Sequence, residues 1–369
     1  MTAGTTTDMR PGQAPDGRGG RPRDGEGLGA KALRIILTER VALLAILLAV
    51  VLIWMKYLDY SGYLVAPYDR SYLASALETM VPLCLLALAE LVVIISGRGG
   101  IDLSVGSIVS LAGMVFGSLV GKWDVPLLLA LVVTVLVGGL LGALNGVLVA
   151  YLRFPALIAT LATFYVYSSL ALVSNSNAPI STKAIQDTHT LTRDVHVLGL
   201  SFLPPIPLQF LTFLLPCALI TWLVVNRFTY GRKLYAVGTN DIAARFASLS
   251  VSGVRFRAYV LSGLLSGVVA VVTVAQFASA RPDAGTVGNG MALPAITIAV
   301  LGGVAISGGV GRVGGVIAAA LLIVGLNAGI LLMFEGSQGS QYQLLALGIV
   351  LVGSALLNAV TMRRYGSLQ

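Results

Sequence analysis

Three carboxylates, those of Glu78, Glu90 and Asp102, stand in otherwise apolar sequence. A carboxylate inside a membrane is costly, so it marks an ion or substrate contact by default. Glu78 can reach the outer interface from its position in the apolar run. For the deeper Glu90 we favour a buried contact inside a helix bundle over a proton relay. Asn145 is interpreted as an interhelical hydrogen bond.

The segment around Asp102, SGRGGIDLSVGSIVSLAG at 96–113, is dense in glycine. Each glycine costs up to about 1 kcal/mol relative to alanine in a helix, which disfavours an uninterrupted helix. One interpretation is a broken element that lines a cavity, where irregular backbone is tolerated. The other is a tight cytoplasmic turn in which Asp102 caps the next helix. The sequence leaves both open.

A second glycine-dense segment, LGGVAISGGVGRVGG at 301–315, repeats the spacing GG-x-x-x-S-x-G of the first. Matching breaks in two halves of a membrane protein can signal an internal repeat, and the alternative is chance agreement in a chain with 43 glycines. The residues that we expect to line a pathway are Glu90, Gly99, Gly100, Asp102, Ser104, Gly302 and Gly303.

A polar run at 226–257 separates two apolar spans. It carries six basic residues against a single acid, Asp241, which indicates a cytoplasmic location. Thr239 or Asn240 is suited to cap a short helix over 239–249.

Within that helix, Ile242, Phe246 and Leu249 fall on one face. Such a face is typical of a docking surface for a cytoplasmic partner, and also of a helix that lies on the membrane surface. We favour docking.

Metal and catalytic motifs are missing from the sequence. Cys84 and Cys217 lie in apolar runs, and His189 and His196 have no companion ligands at metal-binding spacing. The sequence contains no phosphate-binding loop, no H-E-x-x-H and no serine elbow. We therefore expect no enzyme activity, no metal and no cofactor in this chain, and an energy source in another chain or an ion gradient.

The composition is that of a membrane protein. Of the 369 residues, 56% are hydrophobic and only 11% are charged, whereas soluble domains carry about 25% charged residues. The net charge of +8 does not indicate nucleic-acid binding, because the basic residues lie at span ends and in tails.

Apolar runs of about 20 residues predict membrane-spanning helices, and the fold class is an all-α polytopic protein. The ten predicted spans are 35–56, 73–96, 104–120, 126–151, 156–174, 208–226, 258–278, 292–306, 313–334 and 342–360. The third and eighth are short, which predicts broken or tilted elements.

An N-terminus inside the cell places most of the 24 basic residues on the cytoplasmic side, and an even span count returns the C-terminus there. Residues 1–30 are expected to form a disordered cytoplasmic tail, and 31–369 a transmembrane domain. The long outer loop 175–207 is expected to cap the outer vestibule and to meet an external protein.

Three segments in order carry a resemblance to a known family. They are GGIDLSVGSIVSLAG, then YGRKLYAVGTNDIAARFASLSVSGVRFRAYVLSGLLSGVVAVV, then AITIAVLGGVAISGGVGRVGGVIAAALLIVGLNAGI. Together they resemble permease subunits of bacterial ATP-binding-cassette importers for simple sugars, of the ribose/xylose/galactose type. Ser248, Ala328 and Glu90 depart from the usual pattern, which weakens inference about the particular sugar.

The resemblance implies a large-importer-type fold of about ten helices in the bacterial cytoplasmic membrane. It implies a second permease copy or paralogue, a cytoplasmic ATPase that binds ATP and Mg²⁺, and an external sugar-binding protein. It makes 235–249 a coupling helix, with Ile242 and Phe246 as apolar anchors and Arg245 as a rim contact. The implied ATPase-coupling residues are Tyr235, Gly238, Asn240, Ile242, Ala243, Ala244, Arg245 and Phe246.

Three rival functions stay open at this stage. A permease for branched-chain amino acids or nucleosides has a similar cytoplasmic segment, although the form GGIDLSVGS favours sugar. An ion-coupled secondary carrier could use Glu90 and Asp102 for cation coupling. A membrane-embedded enzyme is disfavoured because no catalytic grouping is present.

Overall fold

Helices make up most of the chain that the computed structural model describes, which is residues 40–195, 206–287, 290–334 and 337–365. The helices are α1 Arg40–Tyr60, α2 Arg70–Ile95, α3 Val105–Gly121, α4 Leu127–Gly146, α5 Ala156–Val173, α6 Lys183–Asp187, α7 Leu215–Asn226, α8 Thr229–Thr239, α9 Asp241–Phe246, α10 Val251–Phe277, α11 Ala292–Leu301, α12 Val313–Met333 and α13 Ser337–Tyr365. The predicted tail 1–30 lies outside the described residues.

Short elements complete the description. They are the π-helical turns Val147–Tyr151 and Phe210–Leu214, the 3₁₀ turn Thr188–Leu191, and the antiparallel two-residue strands β1 Asp194–Val195 and β2 Ile206–Pro207. The π-helical turns extend the apolar helices α4 and α7.

Each of the ten predicted spans overlaps an apolar helix, although several of the predicted ends differ from those of the helix. Among the described residues, seven helices are long and apolar enough to cross a membrane, and an eighth span follows if the bent pair Phe210–Asn226 and Thr229–Thr239 is counted. The two shorter apolar helices, α3 and α11, are those that the sequence predicts to be short. The all-α polytopic fold class is confirmed.

Helices α2 and α10 form the centre of the bundle. In the most apolar stretch of each helix, 83% of the residues of α2 and 72% of those of α10 are buried. The corresponding shares are 17% for α1 and 11% for α13. The outer helices therefore present apolar side chains outward, as lipid-facing helices do.

Glycines bring α4 and α10 into backbone contact. Gly138 and Gly142 on α4 lie against Gly263 and Gly267 on α10, and a Cβ at Gly142 would overlap the carbonyl oxygen of Tyr259. Small residues four apart allow this close approach in membranes, where dispersion and packing drive helix association. The crossing holds the two helices that carry much of the polar centre described below.

We expect Gly142→Val to lower the thermal unfolding midpoint of the detergent-solubilised protein by at least about 5 °C, because overpacking costs about 1–3 kcal/mol. Gly348→Val is the matched control, since a Cβ at Gly348 meets no atom within 4 Å. Equal midpoints for the two variants would contradict the crossing as described.

The polar run 226–257 differs from the prediction. The helix predicted over 239–249 and the coupling helix implied over 235–249 are divided at Asn240, whose extended backbone separates α8 from α9. The Asn240 side chain accepts hydrogen bonds from the backbone N–H groups of Ile242 and Ala243. It is therefore the N-cap of α9, as the sequence allowed.

The C-terminal end of the run 226–257 is helical and does not form a loop. Helix α10 begins at Val251, capped by Ser250, so Arg255 and Arg257 belong to its first turns. The predicted start of this span at 258 was therefore wrong by about two turns.

Described parts of the segment 175–207, which the sequence predicts to lie outside, contact α10 and the residues just after it. Ile180 and Ala280 exchange backbone hydrogen bonds of 2.9 and 3.0 Å, and Nδ1 of His189 lies 3.2 Å from the Ala275 carbonyl oxygen. His196 lies outside the described residues. Contact with an external protein stays a prediction.

Candidate functional site

The break between α2 and α3 is a loop built on left-handed backbone, exposed at Arg98 and Gly99 and buried from Asp102 to Ser104 except at Leu103. Gly97 and Gly99 have φ of 81° and 62°, and Arg98 between them has φ of 59°. Glycine adopts this region without strain, whereas arginine rarely does. The loop then turns inward, so that Asp102 and Ser104 have no exposed surface.

The Asp102 carboxylate is held by four donors. Oδ1 accepts from the Ser104 N–H at 3.1 Å, the Ser104 hydroxyl at 2.6 Å and the Asn145 amide at 3.5 Å. Oδ2 accepts from the Ser262 hydroxyl at 3.1 Å. The N-cap residue of α3 is Ser104, and no side-chain hydrogen bond caps this helix, so Asp102 bonds the residue before the helix and does not cap it. A role in lining a pathway stays a prediction.

Asn145 extends the polar centre to α5. Its amide donates to the Ser104 hydroxyl at 2.6 Å, and its oxygen accepts from the Thr163 hydroxyl at 2.7 Å. All three side chains are buried. The interhelical hydrogen bond predicted for Asn145 is thus present, and it joins α4, α5 and the break loop.

Glu90 on α2 completes this centre. Its carboxyl is fully buried, and Oε2 accepts from the backbone N–H of Asp102 at 3.3 Å. The structure therefore brings Glu90, Asp102 and Ser104 together, as the sequence grouped them. Glu78 lies apart from this cluster, and its carbonyl oxygen accepts from Gln209.

The second glycine break packs beside the first. The N–H of Gly309 donates to the Ile95 carbonyl at 3.0 Å, and Gly308 lies against the backbone of Gly97. Gly302 instead packs on the start of α12, and Gly303 lies beside the Arg40 side chain. The two breaks meet through Gly97 and Gly308, while Gly302 and Gly303 do not join the polar centre.

The end of α8 is wedged between both breaks. A Cβ at Gly238 would overlap the Ile95 carbonyl oxygen and lie 2.5 Å from the backbone nitrogen of Gly309. The Tyr235 hydroxyl donates to the Gly311 carbonyl at 2.6 Å. Tyr235 and Gly238 therefore attach α8 to the membrane bundle.

One carboxylate, Asp241 at the start of α9, pairs with two arginines. Its Oδ2 lies 3.0 Å from Nε of Arg98 in the break loop and 3.3 Å from Nη2 of Arg255 on α10. Nε of Arg255 also donates to the Ser96 carbonyl at 3.2 Å. Because Arg255 is only 8% exposed, its pair is far less screened by water than a surface salt bridge.

The outer face of α9 is apolar and uncovered in this chain. Phe246 is 88% exposed and Ile242 is 65% exposed. Ala243 and Arg245 are also exposed, whereas Ala244 is buried. Leu249, which the sequence placed on the same face, packs instead against the core.

A cavity of about 240 Å³ opens near the break loop, and Leu103, Leu161, Phe164 and Leu293 contribute to its wall. Thr286 is the single polar side chain among its lining residues. This wall offers few hydrogen-bonding groups, so it resembles an apolar recess more than a site for a polar solute.

Arg98, Asp241, Arg255 and Ser262 were missed as a group by sequence reasoning. They are far apart in the chain, and each is common at span ends or in spans. Only the lone acid in a strongly basic run, Asp241, offered a signal. Among the described residues, no three His, Cys, Asp or Glu side chains are placed to hold a metal ion.

Comparison with known proteins identifies the family. A family model described as branched-chain amino acid transport system / permease component matches residues 72–355. The autoinducer 2 import system permease protein LsrD of Enterobacter sp. (strain 638) is 35% identical over 288 residues, which cover 77% of this chain and 84% of LsrD. No solved structure matches significantly.

Two other similar proteins are also permeases of import systems. LsrD of Klebsiella pneumoniae is 34% identical over 325 residues, covering 87% of this chain and 92% of that protein. The ribose import permease protein RbsC of Escherichia coli (strain K12) is 32% identical over 259 residues, covering 70% and 77%. Because the family match covers more than half of the chain and the fold supplies the many apolar helices that a permease needs, the chain belongs to the transport-system permease family.

Proposed function

We propose that this chain is the membrane subunit of an ATP-driven importer and forms the pathway for a monosaccharide delivered by an external binding protein. The chain itself is a transport component, and ATP hydrolysis takes place in a partner. It works in the bacterial cytoplasmic membrane with both termini in the cytoplasm, beside a second permease copy or paralogue.

The apolar face of α9 is the observation that carries the proposal. Ile242 and Phe246 stand exposed on a helix of six residues that also carries the exposed Arg245. Uncovered aromatic and aliphatic side chains in a polar rim are typical of protein interaction sites. The partner that fits is a cytoplasmic ATPase that holds ATP and Mg²⁺.

Attachment of α9 to the bundle gives the docking surface a route of action. Asp241 ties α9 to the break loop through Arg98 and to α10 through Arg255. Gly238 places the preceding helix against both glycine breaks. A displacement of α9 by the ATPase is therefore passed to the elements that surround the buried polar centre, because packed backbones move together.

The substrate class is supported by the names of the relatives. RbsC is named for ribose import and LsrD for autoinducer 2 import. The description of the family model names branched-chain amino acids instead, so a branched-chain amino acid, or a nucleoside, is the alternative substrate. A ligand-binding measurement on the binding protein encoded beside this chain distinguishes ribose-like sugars from leucine.

Reconstitution tests the mechanism. We expect proteoliposomes that contain this chain with the neighbouring ATPase and binding protein to accumulate labelled sugar only when ATP and Mg²⁺ are supplied. The control is the same complex with an ATPase variant that cannot hydrolyse ATP. Uptake by this chain alone, driven by a sodium or proton gradient, would instead establish a secondary carrier.

A further inference from the structure

Two carboxyl groups share the buried centre of the bundle. Glu90 and Asp102 have no exposed surface, and the backbone N–H of Asp102 donates to Oε2 of Glu90. The ion pairs among the described residues involve neither of them. Two neighbouring carboxylates in a low-dielectric site do not both ionise readily, because each raises the electrostatic cost of charging the other.

Hydrogen-bond donors are divided unequally between the two groups. The Asp102 carboxylate accepts from four donors, supplied by Ser104, Asn145 and Ser262. Glu90 has a single donor at Oε2, and its Oε1 is buried with no partner. Several donors stabilise an ionised carboxylate, whereas a poorly solvated buried carboxylate costs several kcal/mol.

Glu90 has no ion-pair partner among the described residues. The break loop presents the carboxylate of Asp102, and the neighbouring helix α10 carries Tyr259 and Arg255. The guanidinium of Arg255 is taken up by Asp241 and the Ser96 carbonyl. The Tyr259 hydroxyl is buried without a partner, and it lies three residues before Ser262 on the same helix.

From this division we infer that Glu90 binds a proton at neutral pH and acts as a neutral hydrogen-bonding acid beside an ionised Asp102. The ligand of the site is the proton itself. A protonated carboxyl keeps an acceptor for the Asp102 N–H and gains an O–H donor. Glu90 thereby ties α2 to the break loop without adding a second charge to the centre, and the inference does not depend on the transported substrate.

Infrared spectroscopy of the purified full chain tests this assignment at about pH 8, where ordinary carboxyl groups are ionised. The wild-type spectrum minus that of Glu90→Gln should show the carbonyl absorption of a protonated acid. The wild-type spectrum minus that of Asp102→Asn should show carboxylate absorptions only. A carboxylate signal in the Glu90 difference would overturn the inference.

Thermal unfolding supplies a second measurement. Glutamine matches a neutral glutamic acid in shape and hydrogen bonding, so Glu90→Gln should unfold within about 2 °C of the wild type. Asp102→Asn places an amide NH₂ group, itself a donor, among the donors that now bond the carboxylate, and those donors lose an acceptor. This variant should therefore lower the midpoint by more than about 5 °C.

The opposite order of stability would also overturn the inference. If Glu90→Gln does not fold, an acid carbonyl band at about pH 8 that is present in both the wild type and Asp102→Asn assigns the proton to Glu90, since ordinary carboxyl groups are ionised there. Absence of that band would refute the protonated state.

Discussion

ATP-driven uptake should fall to below about a tenth of the wild-type rate when Ile242 and Phe246 are both changed to aspartate. Hot-spot residues contribute at least about 2 kcal/mol each to an interface, and two carboxylates would be desolvated on docking. Both side chains are exposed in the free chain, so insertion and thermal stability should be unchanged. Uptake into proteoliposomes and co-purification of the ATPase measure the two effects.

A matched control distinguishes the loss of apolar docking contacts from the change in net charge. Arg232→Ala with Lys233→Ala changes the net charge by the same amount on exposed positions of α8, while the face of α9 stays intact. We expect this variant to keep most of its uptake. Unchanged uptake in the Ile242 and Phe246 double variant would remove the docking hypothesis while leaving family membership untouched.

Gly238→Ala should be among the most damaging single-methyl substitutions in the protein. The added carbon would overlap the Ile95 carbonyl oxygen and crowd the backbone of Gly309. Backbone cannot yield as a flexible side chain can, so α8 must move away from both breaks at a cost of about 1–3 kcal/mol or more. We expect a lower unfolding midpoint together with loss of most ATP-driven uptake.

Gly314→Ala is the control for this substitution. It adds the same methyl group near the start of α12, where no atom lies within 4 Å of the new carbon. Its unfolding midpoint and uptake should match the wild type. A wild-type midpoint for Gly238→Ala would show that α8 does not need its contact with the breaks.

Some of the candidate site follows from local patterns alone. The glycines around 96–113 and 301–315 predict breaks because glycine weakens helices regardless of its surroundings. Asn240 predicts a cap for the same local reason. Glu90 and Asp102 stand out because a carboxylate in an apolar run needs an explanation. These features depend only on neighbours within a few residues.

Other features depend on contacts between distant parts of the chain. The pairing of Asp241 with Arg98 and Arg255 joins the break loop, α9 and α10. The glycines at 138 and 142 and those at 263 and 267 are spaced four apart, a signal that sequence reasoning overlooked. The sequence of one helix still does not predict which other helix crosses it at these glycines, because many helices of this chain contain glycine.

The hydrophobic pattern is sufficient to establish a polytopic all-α membrane protein, because backbone groups in lipid must be satisfied within helices and each span needs a minimum apolar length. It also predicts a polar cytoplasmic run between two spans. Packing decides the rest. It packs Leu249 partly buried against the core while Phe246 stays exposed, and it surrounds Asp102 with four donors but leaves Glu90 with one. Burial and donor number are set by residues far away in the chain, so no local pattern contains them.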